Sequence, residues 1–228
     1  MSGERDGDEA GALRANILFV LPDVLNARAE QIAAHVDSLL TNALLSPCER
    51  PGVVVMQDGD GARELMDGLQ FSCASRPPLR LPLEEIVVRY VESVERLRSI
   101  PGVRLAAHGE SVTAANEAAE TLFQVDASAA VQHAWVLRGQ YGPTLLVVSC
   151  ADEVELSRLV ASLVQVPAAT IYGTPLDRPH ALRLAQQLSH RCARISSRLL
   201  DSRTIAAGER LYDDLHRFTR GIGGIATS

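Results

Sequence analysis

Apolar and polar residues follow two different periods along this chain, and each period predicts one kind of element. Short apolar runs between Gly, Pro and polar residues predict buried strands, whereas apolar side chains at every third or fourth position predict amphipathic helices. The first strand is predicted in ANILFVLP, which ends at Pro22, and a helix follows over residues 26–45. Strands are also predicted in GVVVM, VRLAA, TLFQV, TLLVVS, ATIYG and ARIS, and helices in GARELMDGL, 83–100, 127–133, 153–163, 179–189 and 205–218.

The order of these elements predicts the fold class. Strands alternate with helices through most of the length, which indicates an α/β domain with a mainly parallel sheet covered by helices. Runs such as GVVVM and TLLVV are continuously apolar, as expected for strands covered on both faces. We expect one domain over residues 15–220, a disordered acidic lead over 1–14 and a Gly-rich flexible tail over 221–228.

Composition removes several classes of function. The 228 residues carry a formal net charge of -6 without a basic stripe, so nucleic-acid binding is not expected. No run of about 18 apolar residues occurs, so no membrane span is expected. The cysteines lack C-x-x-C spacing, which argues against a zinc site and is typical of a cytoplasmic protein with reduced thiols. The four cysteines are Cys48, Cys73, Cys150 and Cys192.

Several segments together resemble the aldehyde dehydrogenase superfamily. QYGPTLLVVSCADEVELSRLVASL is similar to that family's E-E-x-F-G-P segment with its strand, acidic turn and helix, and AATIYGTPLDRPHALRLAQQLSHRCARI is similar to the elements that follow. NILFVLP, with the later SPCERPG and DSRTIAAGERLYDDLHRF, resembles the α-ketoglutarate semialdehyde dehydrogenase branch, which shows N-P-V-F-V-L-P, F-C-T-N-P-G and D-S-R-T-T-S-V-G. The resemblance spans about residues 16–218 and implies a fold like the catalytic-domain half of that family.

The resemblance also implies site residues. Cys48 lies where the family has its nucleophile, whose thiolate adds to an aldehyde carbon and gives a thiohemiacetal. In the family, hydride then passes to NAD or NADP, and water activated by a base releases the acid. Tyr141 matches the aromatic residue beside the nicotinamide ribose. Arg203 lies in the matched D-S-R-T segment, and an arginine can hold an acidic substrate by a bidentate contact.

Four departures from the family pattern concern the cofactor, the hydrolysis step or the substrate. Gly11 stands where the family has its base glutamate, and Arg138 and Gly139 replace the two acidic residues before Y-G-P. Between ARIS and DSRT only SRLL stands in place of a longer substrate loop, and the family's cofactor domain has no counterpart in this sequence. We therefore expect a chain that folds, does not bind NAD or NADP tightly by itself, and does not oxidise aldehydes alone.

Each candidate residue also has a purely structural interpretation. Cysteine is often a small core residue, and the carboxylate of Glu49 beside Cys48 favours a protonated thiol. Arg203 is equally suited to a structural salt bridge. Tyr141, like Trp135, is equally suited to packing.

Three residues are candidates for the missing base: His108, His133 and Glu110. Catalytic partners are neighbours in space and not in sequence, so the sequence assigns none of them. The alternative for each histidine is a surface or hydrogen-bonded side chain.

Two functions from different classes follow. The first is an aldehyde dehydrogenase catalytic domain that captures a small-molecule aldehyde and needs a protein partner to supply the cofactor domain. The second is a non-catalytic binding or assembly subunit derived from such an enzyme. Members of the family form oligomers, and an apolar face left exposed favours a protein partner or a homo-oligomer.

Overall fold

The computed structural model describes residues 13–14, 16–41, 49–81 and 83–199. The strands in these ranges are β1 (Leu13–Arg14), β2 (Asn16–Val20), β3 (Pro51–Gln57), β4 (Leu79–Arg80), β5 (Arg104–His108), β6 (Glu117–Ala118), β7 (Thr121–Asp126), β8 (Gln140–Tyr141), β9 (Thr144–Cys150), β10 (Val166–Gly173) and β11 (Cys192–Leu199). The helices are α1 (Pro22–Thr41), α2 (Asp60–Ala74), α3 (Glu84–Arg98), α4 (Ala127–Gln132), α5 (Glu153–Ser162) and α6 (Arg178–Leu188), with a 3₁₀ helix over Ala134–Arg138.

Within the described ranges, seven strands form one sheet in the order β11-β10-β2-β3-β9-β7-β5. Every neighbouring pair is parallel except β5 and β7, which are antiparallel. The central strands β2 and β9 are buried along their whole length, as their apolar sequences require. Two further pairs, β1 with β8 and β4 with β6, lie outside this sheet.

Helices cover both faces of the sheet. Helices α1 and α2 pack against each other on one face, and α4, α5 and α6 lie on the other. In α1 the buried positions recur every three or four residues, which gives the helix its apolar stripe. These positions are Val24, Leu25, Ala29, Ile32, Ala33, Val36 and Leu40.

The predicted α/β class with a mainly parallel sheet is confirmed, and each predicted strand is present. Three details differ from the prediction. Helix α1 begins at Pro22 because proline's fixed φ suits the first helical position. Strand β5 is antiparallel because a short connection without a helix joins it to β7. Leu13 and Arg14, expected in a disordered lead, form β1.

The part of the chain that the structure describes leaves out some of the predicted elements. The end of the first predicted helix after residue 41, the rest of the lead, the predicted helix 205–218 and the tail 221–228 all lie outside it. Among the described helices, none has the combined length and apolar character that crossing a membrane requires.

Candidate functional site at the amino edge of the sheet

Three segments that the sequence analysis singled out meet at the amino edge of the sheet. Strand β1 directly precedes β2, and β8 precedes β9. The two short strands pair with each other, with Leu13 opposite Tyr141 and Arg14 opposite Gln140. Glu49 and the residue after it enter β3, the strand between β2 and β9. The fold therefore brings together the Y-G-P segment, the segment before β2 and the residues that follow Cys48.

A glycine fixes the Y-G-P turn against a neighbouring helix. Gly142 has a φ of 57°, in the left-handed region that favours glycine. A Cβ at this position would lie 2.9 Å from the ring of Tyr90. The Tyr90 hydroxyl in turn donates to the Ala119 carbonyl at 2.6 Å and lies 2.7 Å from Thr121 Oγ1. The turn that carries Tyr141 is thus held by packing against α3.

Gln140 turns inward at the same turn. Its side chain is fully buried and its Nε2 donates to the Val136 carbonyl at 2.6 Å. Gln140 Oε1 and Thr144 Oγ1 are buried atoms for which the described part of the chain offers no hydrogen-bond partner. Such atoms are uncommon in folded proteins, and two of them lie here at the start of β8 and β9.

A charged network ties the helix layer to the same edge. Arg76, at the end of α2, forms ion pairs with Asp37 of α1 and with Glu120, which precedes β7. Glu120 is 3% exposed, so its charge is compensated within the protein. This network positions α1 and α2 on the sheet next to the candidate site.

The structure places only part of the predicted site. Cys48, Arg203 and Gly11 lie outside the described residues. Tyr141 is half-buried in β8, and Glu49 is half-buried at the entry to β3. The predictions made for Cys48 and Arg203 stay predictions.

The candidate bases lie in different places. His108 is exposed on β5, the third strand away from β3 and so about 14 Å distant at normal strand spacing. Glu110 is exposed just beyond it. His133 is half-buried where α4 ends and the 3₁₀ helix begins. Trp135 packs under the guanidinium of Arg96, 3.8 Å from its ring centroid.

The described cysteines have unreactive thiols. Burial raises the pKa of Cys73 to about 12, with the nearby Glu120 carboxylate adding to the shift. Burial also raises the pKa of Cys150 to about 12 and that of Cys192 to about 11. Because the thiolate is the nucleophile, these three cysteines should react slowly at neutral pH.

The segment before Y-G-P lacks an acidic side chain for the ribose of NAD or NADP. At the two positions before Gln140, Arg138 is exposed and cationic, and Gly139 has no side chain. Gly139 has a φ of 124°, which a glutamate would rarely adopt. The side chain of Gln140 points inward. No residue from 138 to 140 therefore presents a carboxylate to accept hydrogen bonds from ribose hydroxyls.

A cavity at the opposite edge of the sheet contains none of the predicted site residues. It has a volume of about 50 Å³ and lies between α5 and α6, at the carboxyl ends of β2 and β3. Arg183 and Glu153 form an ion pair at 2.9 Å between the two helices. Among the described residues, no group of three or more His, Cys, Asp or Glu side chains is arranged to hold a metal ion.

Sequence reasoning missed the side chains that support the amino edge. Asn16, the first residue of β2, is 5% exposed and hydrogen-bonds Thr170 of β10. A signal was present, since an asparagine at the head of an apolar strand is unusual. The partner was not readable, because it lies 154 residues further along the chain.

Comparisons with known proteins show sequence similarity to two aldehyde dehydrogenases. The chain is 27% identical over 180 residues to alpha-ketoglutaric semialdehyde dehydrogenase 2 of Azospirillum brasilense, and the match covers 79% of this chain and 34% of that protein. It is 23% identical over 181 residues to alpha-ketoglutaric semialdehyde dehydrogenase of Acinetobacter baylyi, with the same coverage of 79% and 34%. The chain therefore spans about a third of the length of these curated relatives. No family model matches it.

Solved structures give the same fold. Gamma-glutamyl-gamma-aminobutyraldehyde dehydrogenase of Burkholderia cenocepacia superposes with a TM-score of 0.63 at 17% identity, over 82% of this chain and 38% of that one. An NAD-dependent benzaldehyde dehydrogenase of Corynebacterium glutamicum superposes with a TM-score of 0.59 at 19% identity, over 83% of this chain and 40% of that one. At these identities the likeness concerns the fold.

Proposed function

Since the chain belongs to the aldehyde dehydrogenase superfamily over a partial domain, as its sequence predicts, we propose that Cys48 captures an aldehyde as a thiohemiacetal without oxidising it. In this step the thiol adds across the carbonyl, so that a C–S bond forms and the proton ends on the hydroxyl oxygen. The addition needs no oxidant. Oxidation would need NAD or NADP bound by groups that the described residues do not supply.

One observation carries the proposal. The amino edge brings together the Y-G-P segment, the residues before β2 and the residues after Cys48, while positions 138 to 140 present no carboxylate. This arrangement supports the proposal, because the residues that follow Cys48 lie at the same edge as Tyr141 and positions 138 to 140 offer no carboxylate for the cofactor ribose. The aldehyde named for the curated relatives, α-ketoglutaric semialdehyde, is the first substrate to test.

The test follows the alkylation of each cysteine by iodoacetamide at neutral pH, using mass spectrometry on native and urea-unfolded protein. We expect native Cys48 to react about tenfold faster than the same thiol in unfolded protein, because an active-site thiol has a lowered pKa. Cys73, Cys150 and Cys192 serve as internal controls that should react more slowly in the native state. Added aldehyde should protect Cys48 from alkylation.

A second assay on the same purified protein distinguishes aldehyde capture from aldehyde oxidation. We expect no NADH or NADPH from the purified chain with aldehyde and cofactor. The proposal fails if cofactor is reduced at a rate that Cys48→Ser abolishes. It also fails if native Cys48 reacts no faster than its unfolded counterpart.

An assembly role is the second candidate, and an apolar surface on α3 favours it. Val88 and Val91 are 56% and 49% exposed, and their spacing puts them on one face of the helix. Leu83, directly before the helix, is also exposed. Exposed apolar side chains that cluster in this way are typical of association surfaces. The partner we propose for this surface is a second copy of the chain.

A further inference from the structure

A row of polar side chains crosses three neighbouring strands of the sheet. Thr170 Oγ1 of β10 lies 3.1 Å from Asn16 Nδ2 of β2 and 3.0 Å from Ser196 Oγ of β11. Asn16 and Thr170 are 5% and 6% exposed. Buried polar groups reduce stability unless each finds a partner, and here three neighbouring strands supply the partners. The row therefore fixes the orientation of the Asn16 amide.

Asn16 is also tied to the residues that follow Cys48. Its backbone N–H donates to the Arg50 carbonyl at 3.2 Å, and its Nδ2 lies 3.5 Å from the Glu49 carbonyl. The second contact is long and thus weak, but both point to the same short stretch of backbone. The side chain and the main chain of one residue hold two successive carbonyl groups.

The strand pairing is irregular at this point. Asn16 pairs with Pro51, whereas the next residue, Ile17, pairs with Val53, so that Gly52 is an extra residue in β3. Bulges of this kind redirect the strand and occur often beside functional sites. The regular ladder therefore does not define the path of the chain just before β3 by itself, and the contacts of Asn16 contribute to it.

We propose that Asn16 is a positioning residue that fixes the backbone of Glu49 and Arg50 and, through it, the approach of the Cys48 thiol to an aldehyde. The inference rests on the proposed function, because it assigns Cys48 the nucleophilic role. Only one planar peptide unit separates Cys48 from Glu49, so rotation at Glu49 would reorient the thiol. Thiol addition depends strongly on the orientation of the reacting atoms.

Two substitutions at Asn16 test this inference. Asn16→Asp keeps the shape of the side chain but removes its N–H donor, and Asn16→Ala removes both. We expect each to lower the alkylation rate of native Cys48 about two- to fivefold, because the side-chain contact that is lost is longer than an ordinary hydrogen bond and the backbone bond to Arg50 remains. The unfolded protein and native Cys192 should show unchanged rates.

Thr170→Val and Ser196→Ala are graded controls. Thr170→Val removes the group that orients the Asn16 amide, so its effect on Cys48 should be smaller than that of Asn16→Ala. Ser196→Ala removes only the hydroxyl at the end of the row and should have the smallest effect on the Cys48 alkylation rate. A merely structural role would lower the melting temperature of the variants without this order in the Cys48 rates. If Asn16→Ala does not fold, Thr170→Val still tests whether the orientation of the Asn16 amide affects the Cys48 alkylation rate.

Hydrogen exchange gives a readout that does not depend on Cys48. In Asn16→Asp the amides of residues 49–52 should exchange about fivefold faster than in the wild type, while the centre of β9 stays protected. Unchanged exchange and unchanged Cys48 rates in a folded variant would refute the inference and leave the proposed function standing. If wild-type Cys48 is unreactive, the proposed function fails, and faster exchange would still support the role of Asn16 in holding this backbone.

Discussion

His35 lies on α1 and turns its imidazole toward the sheet. The Arg198 guanidinium lies 3.3 Å from its Nε2, and the Tyr172 hydroxyl lies 3.0 Å from the same atom. Because a guanidinium only donates, Nε2 accepts and the ring proton is on Nδ1. Burial, together with the charge of Arg198, lowers the pKa of His35 to about 4. The histidine is therefore neutral in the folded protein at neutral pH.

His35 makes a contribution to stability that depends on pH. The pKa of His35 falls from 6.5 in the unfolded chain to about 4 in the fold. The unfolded state therefore binds the proton first, and stability that is complete above pH 6.5 is lost as the pH falls toward 4. The shift corresponds to about 3 kcal/mol. Urea unfolding between neutral pH and pH 4 measures it.

His35→Gln gives the matched variant, because glutamine keeps an acceptor and does not titrate. We expect its free energy of unfolding to fall much less steeply with acid than that of the wild type. His180→Gln, at an exposed histidine, should leave the wild-type slope unchanged. An equal slope in His35→Gln and the wild type would rule out His35 as the source.

At the scale of elements, a distant loop caps the first helix. Asp177, in the turn before α6, is 2% exposed and accepts from the backbone N–H groups of Asp23 and Val24 at 3.0 and 2.9 Å. It also accepts from the backbone N–H of Thr174 at 3.0 Å. The first turn of a helix leaves its N–H groups without helical partners, and this carboxylate satisfies two of them.

Asp177→Ala should therefore destabilise the protein by about 3 kcal/mol, because several buried donors lose a charged acceptor. Asp152→Ala is the matched control, since Asp152 caps α5 through one exposed contact, from Glu155 N at 2.8 Å. Its removal should cost about 1 kcal/mol. Urea unfolding compares the two variants. If Asp177→Ala and Asp152→Ala lower the free energy of unfolding equally, Asp177 acts only as an ordinary helix cap.

The period of apolar residues predicted the large elements because each of them buries a continuous stripe or run. It did not predict β1 and β8, since two residues are too short to show a period. The apolar period also did not predict where α1 begins, because the residue that caps this helix, Asp177, lies far along the chain. Local patterns cannot show a cap, a bulge or a pairing that only the folded chain creates.

The same limit applies to the candidate site. The resemblance implied roles for Cys48 and Tyr141, and the fold places β8, which carries Tyr141, at the amino edge in a pair with β1. The support from Asn16 was not predicted, because Thr170 and Ser196 reach it only through the strand order of the finished sheet. The resemblance thus named the candidate segments, and the packing of the described residues shows contacts that hold the chain after Cys48.

At the scale of the whole molecule, the question is whether the chain acts alone. The α3 surface, made of Leu83, Val88 and Val91, exposes three large apolar side chains within nine residues of sequence. On the opposite side of the helix, Tyr90 and Leu97 are buried, and the helix contacts the short strands β8 and β6. The helix therefore exposes two valines in addition to its buried apolar face.

We expect a dimer in sedimentation experiments, and the double variant Val88→Asp/Val91→Asp should weaken its association at least about tenfold. Val154→Asp is the matched control, because Val154 on α5 is 56% exposed, the same as Val88. It should leave the association unchanged, since it lies on a different helix. A wild-type chain that stays monomeric at every concentration tested would contradict self-association through α3. Equal weakening by both sets of variants would mean that added charge, and not the α3 surface, drives the effect.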